Sequence, residues 1–291
     1  MAFDPWRSPQ INRTTGGAHI SRLRDVATAL GPIADGCRLG VGGILLQRKP
    51  LGLLRELVAR GTGDLRFHSF LASLDAELLA AHDAVSEAHI GYVGFEQLGT
   101  APAFEQAATS GRLEVREYTE YLFVSGLRAA LAGLPFLPTK GATGSQVLDD
   151  LGLATVTCPY TGVELVAAPA LHLDVAVLHA EAADANGNVL GPVDRSFLFD
   201  FDANLARAAD HVIVSVERVV DEDEVRKANH RTLLYGFEVD TIVHLPGGAA
   251  PTGLTAEQGA DVATLQRYLE SVEHGTSPRE AFDTLLSWNP S

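Results

Sequence analysis

Short apolar segments alternate with amphipathic helical patterns through the first part of the chain, and this alternation constrains the fold more than any other feature. The segments CRLGVGG (37–43), LRFHSF (65–70) and HIGYVGF (89–95) have the length and composition of buried strands. Each is followed by a helical pattern, the second of which begins with Ser73 as its expected N-cap. Strands joined by helical crossovers lie parallel in one sheet. The sequence therefore predicts a doubly wound α/β fold, with a mainly parallel sheet and helices on both faces.

The same alternation resumes after residue 170. The runs LDVAVLHAEAAD, HVIVSVERVV and DTIVHLP are continuously apolar, as strands are when both faces of a sheet are covered. Helical patterns are expected at 22–36, 50–61, 73–84, 103–110, 120–133, 203–210, 222–230 and from Thr255 to Trp288, the last opening on TAEQ as a capping box. No shift in composition marks a boundary, so residues 1–291 are expected to form one domain.

The segment from residue 135 to 170 breaks the pattern because it is dense in Pro, Gly and Thr. A long segment of this kind inside a compact domain usually serves a binding site or a subunit interface. An irregular surface excursion explains the same composition. The sequence leaves both interpretations open.

Charge and composition exclude several classes of function. The formal net charge of −15 opposes nonspecific binding to nucleic acid or to anionic lipid. No apolar run reaches the roughly 18 to 20 residues that a membrane span needs, and no leader pattern opens the sequence. Cys37 and Cys158 stand far apart without a CxxC, and no HExxH is present, so we expect two buried thiols, no disulfide and no metal site. A cytoplasmic protein is the expectation.

The glycines of LGVGG (39–43) end the first predicted strand, and Gly42 and Gly43 are candidates to donate backbone N–H groups to an oxyanion or a phosphate. A dinucleotide fingerprint that begins at Gly40 would need glycine where Leu45 stands, so NAD binding is disfavoured. P-loop and GxSxG motifs are also lacking in the sequence.

A second candidate loop is GYVGFEQLGTAPAFEQA (91–107), which leaves the end of a predicted strand and enters a helix. Loops in this position carry ligand sites in α/β proteins. Gly99 and Thr100 are candidate substrate contacts, and Glu105 is the candidate acid or base. Glu in the first turn of a helix is also favoured by the helix dipole alone, and Glu96 is a competing carboxylate.

Four blocks of the sequence resemble the α-type subunits of family I CoA-transferases. They are DGCRLGVGGILLQRKPLGLLRELVARGTGDL, GTAPAFEQAATSGRLEVREYTEY, HAEAADANGNVLG and HLPGGAAPTG, in family order over nearly the whole chain. The resemblance implies a β subunit of similar fold in an assembly of two α and two β chains, and an acyl-CoA substrate bound where the subunits meet. It implies no permanently bound cofactor, since coenzyme A is part of the substrate. The thioester-forming glutamate of the transferases lies on their β side.

Glu105 departs from the family pattern, in which arginine often follows the Phe of the block that reads PAFEQA here. In this respect the chain resembles a subfamily of steroid-ring hydrolases that act on CoA thioesters late in steroid degradation, where the α-subunit carboxylate is taken to be catalytic. The resemblance then implies Glu105 as general base and acid. Arg48 and Lys49, a basic pair beyond the glycine loop, are candidates for charge-assisted contacts with the phosphates of coenzyme A, and a solvated helix start is the alternative interpretation. Lys140, in the long segment rich in Pro and Gly, is a further candidate contact for coenzyme A. A CoA-transferase α subunit and a silent scaffold for an active β subunit are the alternatives.

Overall fold

A parallel sheet forms the centre of the molecule. The computed structural model describes residues 21–193, 200–255 and 258–285. Its strands are Arg38–Val41 (β1), Leu65–His68 (β2), Leu71–Ala72 (β3), Val85–Ile90 (β4), Tyr92–Val93 (β5), Glu114–Glu117 (β6), Phe136–Thr139 (β7), Thr155–Thr157 (β8), Glu164–Pro169 (β9), Leu173–Asp184 (β10), Val189–Leu190 (β11), Ala209–Val220 (β12), Thr232–Leu234 (β13) and Thr241–His244 (β14).

Seven parallel strands lie in the order β14-β12-β10-β1-β2-β4-β6, and β11 and β13 extend this into a nine-stranded sheet by antiparallel pairing beside the end of β10. The chain first winds outward from β1 to β6, then returns to β10 beside β1 and winds the other way. The strand order therefore reverses between β1 and β10. Ligands of doubly wound proteins bind in the crevice beyond the carboxyl ends of the strands at such a reversal.

Helices cover both faces of the sheet. They are Val26–Ala29 (α1), Leu51–Ala59 (α2), Leu74–Ala81 (α3), Pro102–Thr109 (α4), Glu120–Leu131 (α5), Val147–Asp150 (α6), Phe201–Arg207 (α7), Glu222–Lys227 (α8), Val262–Glu273 (α9) and Pro278–Leu285 (α10). One face packs against α2, α3, α4, α9 and α10 in a single apolar cluster, and the other packs against α5 and α7. The predicted doubly wound, mainly parallel α/β architecture is confirmed. None of the helices in the described part of the chain is long and apolar enough to cross a membrane.

Residues 135–170 are more ordered than the predicted loop. The strands β7, β9 and β8 pair antiparallel into a separate three-stranded sheet, with α6 between β7 and β8. Cross-strand pairing satisfies the backbone groups of a segment whose Pro and Gly content had indicated irregular structure. The interface or site role of this segment stays a prediction.

Two predicted helices differ in the structure. The helix expected at 22–36 is reduced to α1, whose N-cap Asp25 accepts from the Thr28 amide, and turns follow it through Pro32. The C-terminal helix expected from Thr255 begins instead at Val262, because Asp261 caps the Thr264 amide at 3.0 Å. The parts of the second prediction at 256–257 and 286–288 lie outside the described residues.

Candidate active site

A continuous layer of loops lies along the carboxyl edge of the sheet. The loop after β1 (residues 42–49, the glycine loop) is joined to the turn after β14, because the Arg48 amide donates to Gly253 O at 2.7 Å. On its other side the Leu45 amide donates to Leu71 O at 3.0 Å, and β3 in turn pairs with β5. The segment that leads to Glu105 follows β5 directly. Both candidate loops therefore belong to one connected edge.

Glu105 stands in the first turn of α4, which begins with Pro102 at its first position. Its side chain is exposed, and the Thr100 hydroxyl donates to Glu105 Oε2 at 3.1 Å. Gly99 and Thr100 are exposed beside it, and Gly99 needs its φ of +129° rather than any close approach, since a Cβ there would meet nothing within 4 Å. The structure thus brings together three of the predicted site residues.

A buried carboxylate, which the sequence did not single out, caps the helix that carries Glu105. Glu77 on α3 is fully buried and accepts from the Ala103 amide at 2.8 Å and the Phe104 amide at 3.1 Å. The Tyr268 hydroxyl of α9 donates to the same carboxylate. Burial raises the pKa of Glu77 against the opposing effect of these three donors. In the sequence, Glu77 is only one of two acidic residues in an otherwise apolar helix.

Glu96 lies on the same loop in a short 3₁₀ turn, Glu96–Leu98, and is exposed like Glu105. Its φ of +55° is in the left-handed region, which costs a non-glycine residue about 1 to 2 kcal/mol. Strain of this kind concentrates at functional sites, so Glu96 remains the competing carboxylate.

The first four amides of the glycine loop, from Gly42 to Leu45, are occupied in this conformation. The Gly42 amide donates to Val177 O at 3.0 Å, and the Gly43 amide donates to Asp202 Oδ1 at 2.8 Å. The Ile44 and Leu45 amides are also taken by backbone carbonyls. The expectation that Gly42 and Gly43 donate to an oxyanion therefore conflicts with the structure, because this chain's own acceptors already occupy both groups.

Close packing explains the glycines instead. A Cβ on Gly42 would lie 2.3 Å from Leu178 Cδ2, and one on Gly43 would lie 2.6 Å from Gln47 O. Leu45 and Arg48 in the same loop have φ values of 50° and 53°. The loop is a tight, strained turn that its hydrogen bonds hold in place.

Lys49 and Arg48 are core residues rather than surface cations. Lys49 is fully buried, and its Nζ is 2.9 Å from Asp75 Oδ2 while it donates to Leu71 O, Gly43 O and Ser69 Oγ. Arg48 is 4% exposed, and its guanidinium lies 3.6 Å from Asp202. Neither side chain can meet a phosphate of coenzyme A in this conformation. Lys140, at the end of β7, is exposed and stays a candidate contact.

A second polar cluster borders the reversal point of the sheet. His179 Nδ1 is 2.9 Å from Ser215 Oγ, and its Nε2 is 2.8 Å from Glu217 Oε1. Burial raises the pKa of Glu217, but hydrogen bonds from His179 and the Gly247 amide outweigh it and lower the pKa overall. His179 and Arg48 line a narrow crevice there. Both ring nitrogens of His179 and the Glu217 carboxylate therefore have partners within this chain. The bond from the Gly247 amide to Glu217 holds the turn after β14 in place.

The two cysteines have different surroundings. Cys37 is buried, and burial raises the pKa of its thiol to about 12. Cys158 is only half-buried in the turn between β8 and β9, so the expectation of burial holds for Cys37 alone. Within the described ranges, no group of three or more His, Cys, Asp or Glu residues is arranged to hold a metal ion.

Known proteins with this sequence pattern identify the family. Residues 24–245 match the family model described as coenzyme A transferase. The chain belongs to this family. The described fold agrees, because the structure of glutaconate coenzyme A-transferase from Acidaminococcus fermentans superposes with a TM-score of 0.79 at 25% identity, over 90% of this chain and 86% of that one.

Two further proteins that resemble this chain are named for other reactions. The chain is 34% identical over 269 residues to the cholesterol ring-cleaving hydrolase IpdA subunit of Rhodococcus jostii. The alignment covers 89% of this chain and 90% of that protein. The structure of the decarboxylase AibA/AibB superposes with a TM-score of 0.80 at 35% identity, over 92% of this chain and 100% of that chain. Glu105 and Glu77 lie within the matched range of the family, whereas Tyr268 lies beyond it.

Proposed function

We propose that this chain is the α subunit of a heteromeric enzyme that opens a carbocyclic ring of a steroid-derived CoA thioester by hydrolysis, with Glu105 as the acid–base group. One observation carries the proposal: an exposed carboxylate in the first turn of α4, fixed by Thr100, in a chain 34% identical to a cholesterol ring-cleaving IpdA subunit. The substrate class comes from that relative, and the position of the carboxylate supports the role of the residue.

The chemistry needs one group that first takes and then gives a proton. Glu105 removes a proton from water, and the water oxygen adds to a ring ketone. The ring C–C bond between the attacked carbon and its neighbour then breaks. Its electron pair leaves with that neighbour, which a second carbonyl bonded to it holds as an enolate, and Glu105 returns the proton to the enolate carbon. One water is consumed, and the ring ketone becomes a carboxylate. The exposed position of Glu105 suits both steps because a substrate can approach it.

A partner subunit must complete such a site. Glu105, Gly99 and Thr100 are exposed on this chain, so another surface has to exclude water from them. The Gly42 and Gly43 amides already donate to other acceptors of this chain, so the oxyanion donors have to be other groups. We therefore propose a β subunit of similar fold, in a two-α, two-β assembly, with coenzyme A between the subunits and Lys140 as one contact. Coenzyme A enters as part of the substrate.

Two other reactions are favoured by specific relatives. The structural likeness to glutaconate coenzyme A-transferase supports CoA transfer, with the thioester-forming glutamate on the partner. The 35% identity to the decarboxylase AibA/AibB supports a decarboxylation. A catalytically silent scaffold for an active partner is the remaining alternative.

The products formed in ¹⁸O-labelled water separate these reactions. The chain is purified with the product of the neighbouring open reading frame and given a steroid-derived CoA thioester that retains a ring ketone. Hydrolysis adds one water and places ¹⁸O in a new carboxylate, and this result is expected. Transfer of coenzyme A to an added carboxylic acid, or release of carbon dioxide without ¹⁸O uptake, would overturn the proposal in favour of the corresponding relative.

A further inference from the structure

Glu77 lies in the interior between α3, α4 and α9, and nothing in the proposed chemistry uses it directly. Its carboxylate is fully buried and receives two backbone N–H groups of α4 and the hydroxyl of Tyr268. We propose that Glu77, held by Tyr268, is a positioning residue that fixes the helix start on which Glu105 stands. The inference rests on the proposed role of Glu105 and adds the device that holds that residue in place.

The start of α4 has no cap of its own. The N-cap residue is Ala101, which has no side-chain acceptor, and Pro102 supplies no N–H. The next two amides, those of Ala103 and Phe104, point to Glu77 Oε1 and Oε2 at 2.8 and 3.1 Å. A carboxylate at this end of a helix also interacts favourably with the helix dipole. Glu77 therefore replaces the missing cap from a neighbouring helix.

The cap acts on the residues that immediately precede Glu105. Ala103 and Phe104 are the two residues before it, and the Glu105 amide donates to Ala101 O at 2.9 Å within the same turn. If the turn frays, the Glu105 carboxylate and its contact with Thr100 are no longer fixed relative to each other. Glu77 thus acts on Glu105 through the first turn of α4, which carries both the capped amides and Glu105.

Tyr268 extends this support to the loop before α4. It is fully buried, and its ring contacts Phe95 and Phe282 edge-on, with centroids 6.3 and 5.8 Å away. Phe95 begins the loop, and its amide donates to Gly99 O at 2.8 Å. One tyrosine therefore touches both the loop that leads to Glu105 and the cap of the helix that carries it. Because Tyr268 lies beyond residues 24–245, the C-terminal helices supply a part of the site that the family match does not include.

Two conservative variants remove the hydrogen bonds while keeping the volume. In Glu77→Gln the amide nitrogen cannot accept, so one of the two backbone N–H groups of α4 loses its acceptor. In Tyr268→Phe the packing with Phe95 and Phe282 remains, and only the hydroxyl is lost. Asp184→Asn is the matched control, because Asp184, the last residue of β10, is an equally buried carboxylate that accepts three hydrogen bonds from Asn186 and Asn188.

The measurements are made on the complex with the partner subunit, using the ring-ketone CoA thioester as probe. Glu77→Gln should lower the single-turnover rate by about 10- to 100-fold, because a misplaced catalytic group costs rates of that order, while KM stays within about threefold. Tyr268→Phe should lower it several-fold. Asp184→Asn should react at the wild-type single-turnover rate, even if it lowers the melting temperature as much as Glu77→Gln does. Amide hydrogen exchange at Ala103 and Phe104 should accelerate only in the Glu77 and Tyr268 variants.

A double variant separates this inference from the proposed function. In a Glu105→Gln background, Glu77→Gln should cause no further loss, because it acts through Glu105. If Glu105→Gln turns over normally, the proposed function fails, and hydrogen exchange at Ala103 and Phe104 still decides whether Glu77 holds the helix. If Glu105→Gln is inactive but Glu77→Gln reacts at the wild-type rate, or leaves exchange at α4 unchanged, the positioning role is wrong.

Discussion

The role of Lys49 could not be predicted from its neighbours in the sequence. A basic pair after a glycine turn predicts an anion contact, yet Lys49 is fully buried with Asp75. Its oxygen partners come from Gly43, Ser69, Leu71 and Asp75, which only folding brings together. The sequence was enough to single out Glu105 and Thr100, because both lie on a loop that leaves a predicted strand end. It missed Glu77 and Tyr268 because that contact spans 191 residues.

Replacing Lys49 tests its structural role. Lys49→Met should lower the free energy of unfolding by about 3 to 5 kcal/mol, since it leaves Asp75 buried without its counter-charge. The double variant Lys49→Met, Asp75→Leu should recover most of that loss, because both charges are then removed. Chemical denaturation of the three proteins measures this. Unchanged stability of the single variant, together with weaker binding of coenzyme A, would restore the ligand role.

At the scale of elements, periodicity identified the long strands and most helices, with ends shifted by a few residues. It missed β3, since a strand of two residues has no period, and it merged β5 with β4 into the single predicted strand at 89–95. It also missed the sheet of β7, β9 and β8, whose antiparallel pairing is a long-range property. Ser73 does precede α3, but its hydroxyl donates to Leu45 O rather than capping the helix. Tertiary contacts decided each of these cases.

Two stacked histidines on the neighbouring strands β2 and β4 should make the stability of the protein depend on pH. His68 and His89 stack with ring centroids 4.1 Å apart, and burial lowers the pKa of both imidazoles, against the influence of Glu87 on His89. The unfolded chain, with histidine pKa values near 6.5, therefore binds more protons as the pH falls below that value. The contribution of the two neutral histidines to the free energy of unfolding is fully present above about pH 7. It decreases on acidification, by up to about 1.4 kcal/mol per pH unit for each histidine.

Denaturation midpoints between pH 7.5 and 5.5 measure this slope, and His68→Gln serves as the comparison. The variant removes one titrating group, so its stability should depend less steeply on pH than that of the wild type. An equal slope in both proteins would assign the acid sensitivity to other groups.

At the scale of the whole molecule, the alternation of strands and helices was enough to predict the parallel sheet and to place each candidate loop at the end of a strand. The strand order, with its reversal between β1 and β10, was not predictable from the alternation because the pattern does not state which strands pair. What the proposed partner subunit adds to the site is equally absent from the sequence of one chain. What the chain does show is where its apolar groups remain exposed, as at Tyr160 and Phe237.

Subunit association tests the predicted interface role of residues 135–170. Tyr160, 94% exposed in the turn after β8, is the expected anchor, since tyrosines at the centre of interfaces often account for much of the binding energy. Tyr160→Glu should weaken the complex by at least about tenfold, as measured by analytical ultracentrifugation. Phe237→Glu, at another exposed aromatic, should leave association unchanged. The reverse result would move the interface to the surface around Phe237.

The central claim is that the Glu105 carboxylate performs proton transfer in a complex with a partner subunit. The most direct test is the single-turnover rate of ring opening by complexes that carry Glu105→Gln or, as the matched control on the same loop, Glu96→Gln. We predict that Glu105→Gln slows the reaction by about 10²- to 10⁴-fold while substrate affinity stays within a few-fold, and that Glu96→Gln reacts like the wild type. Wild-type rates in the Glu105 variant, or the loss of activity in the Glu96 variant instead, would contradict the claim.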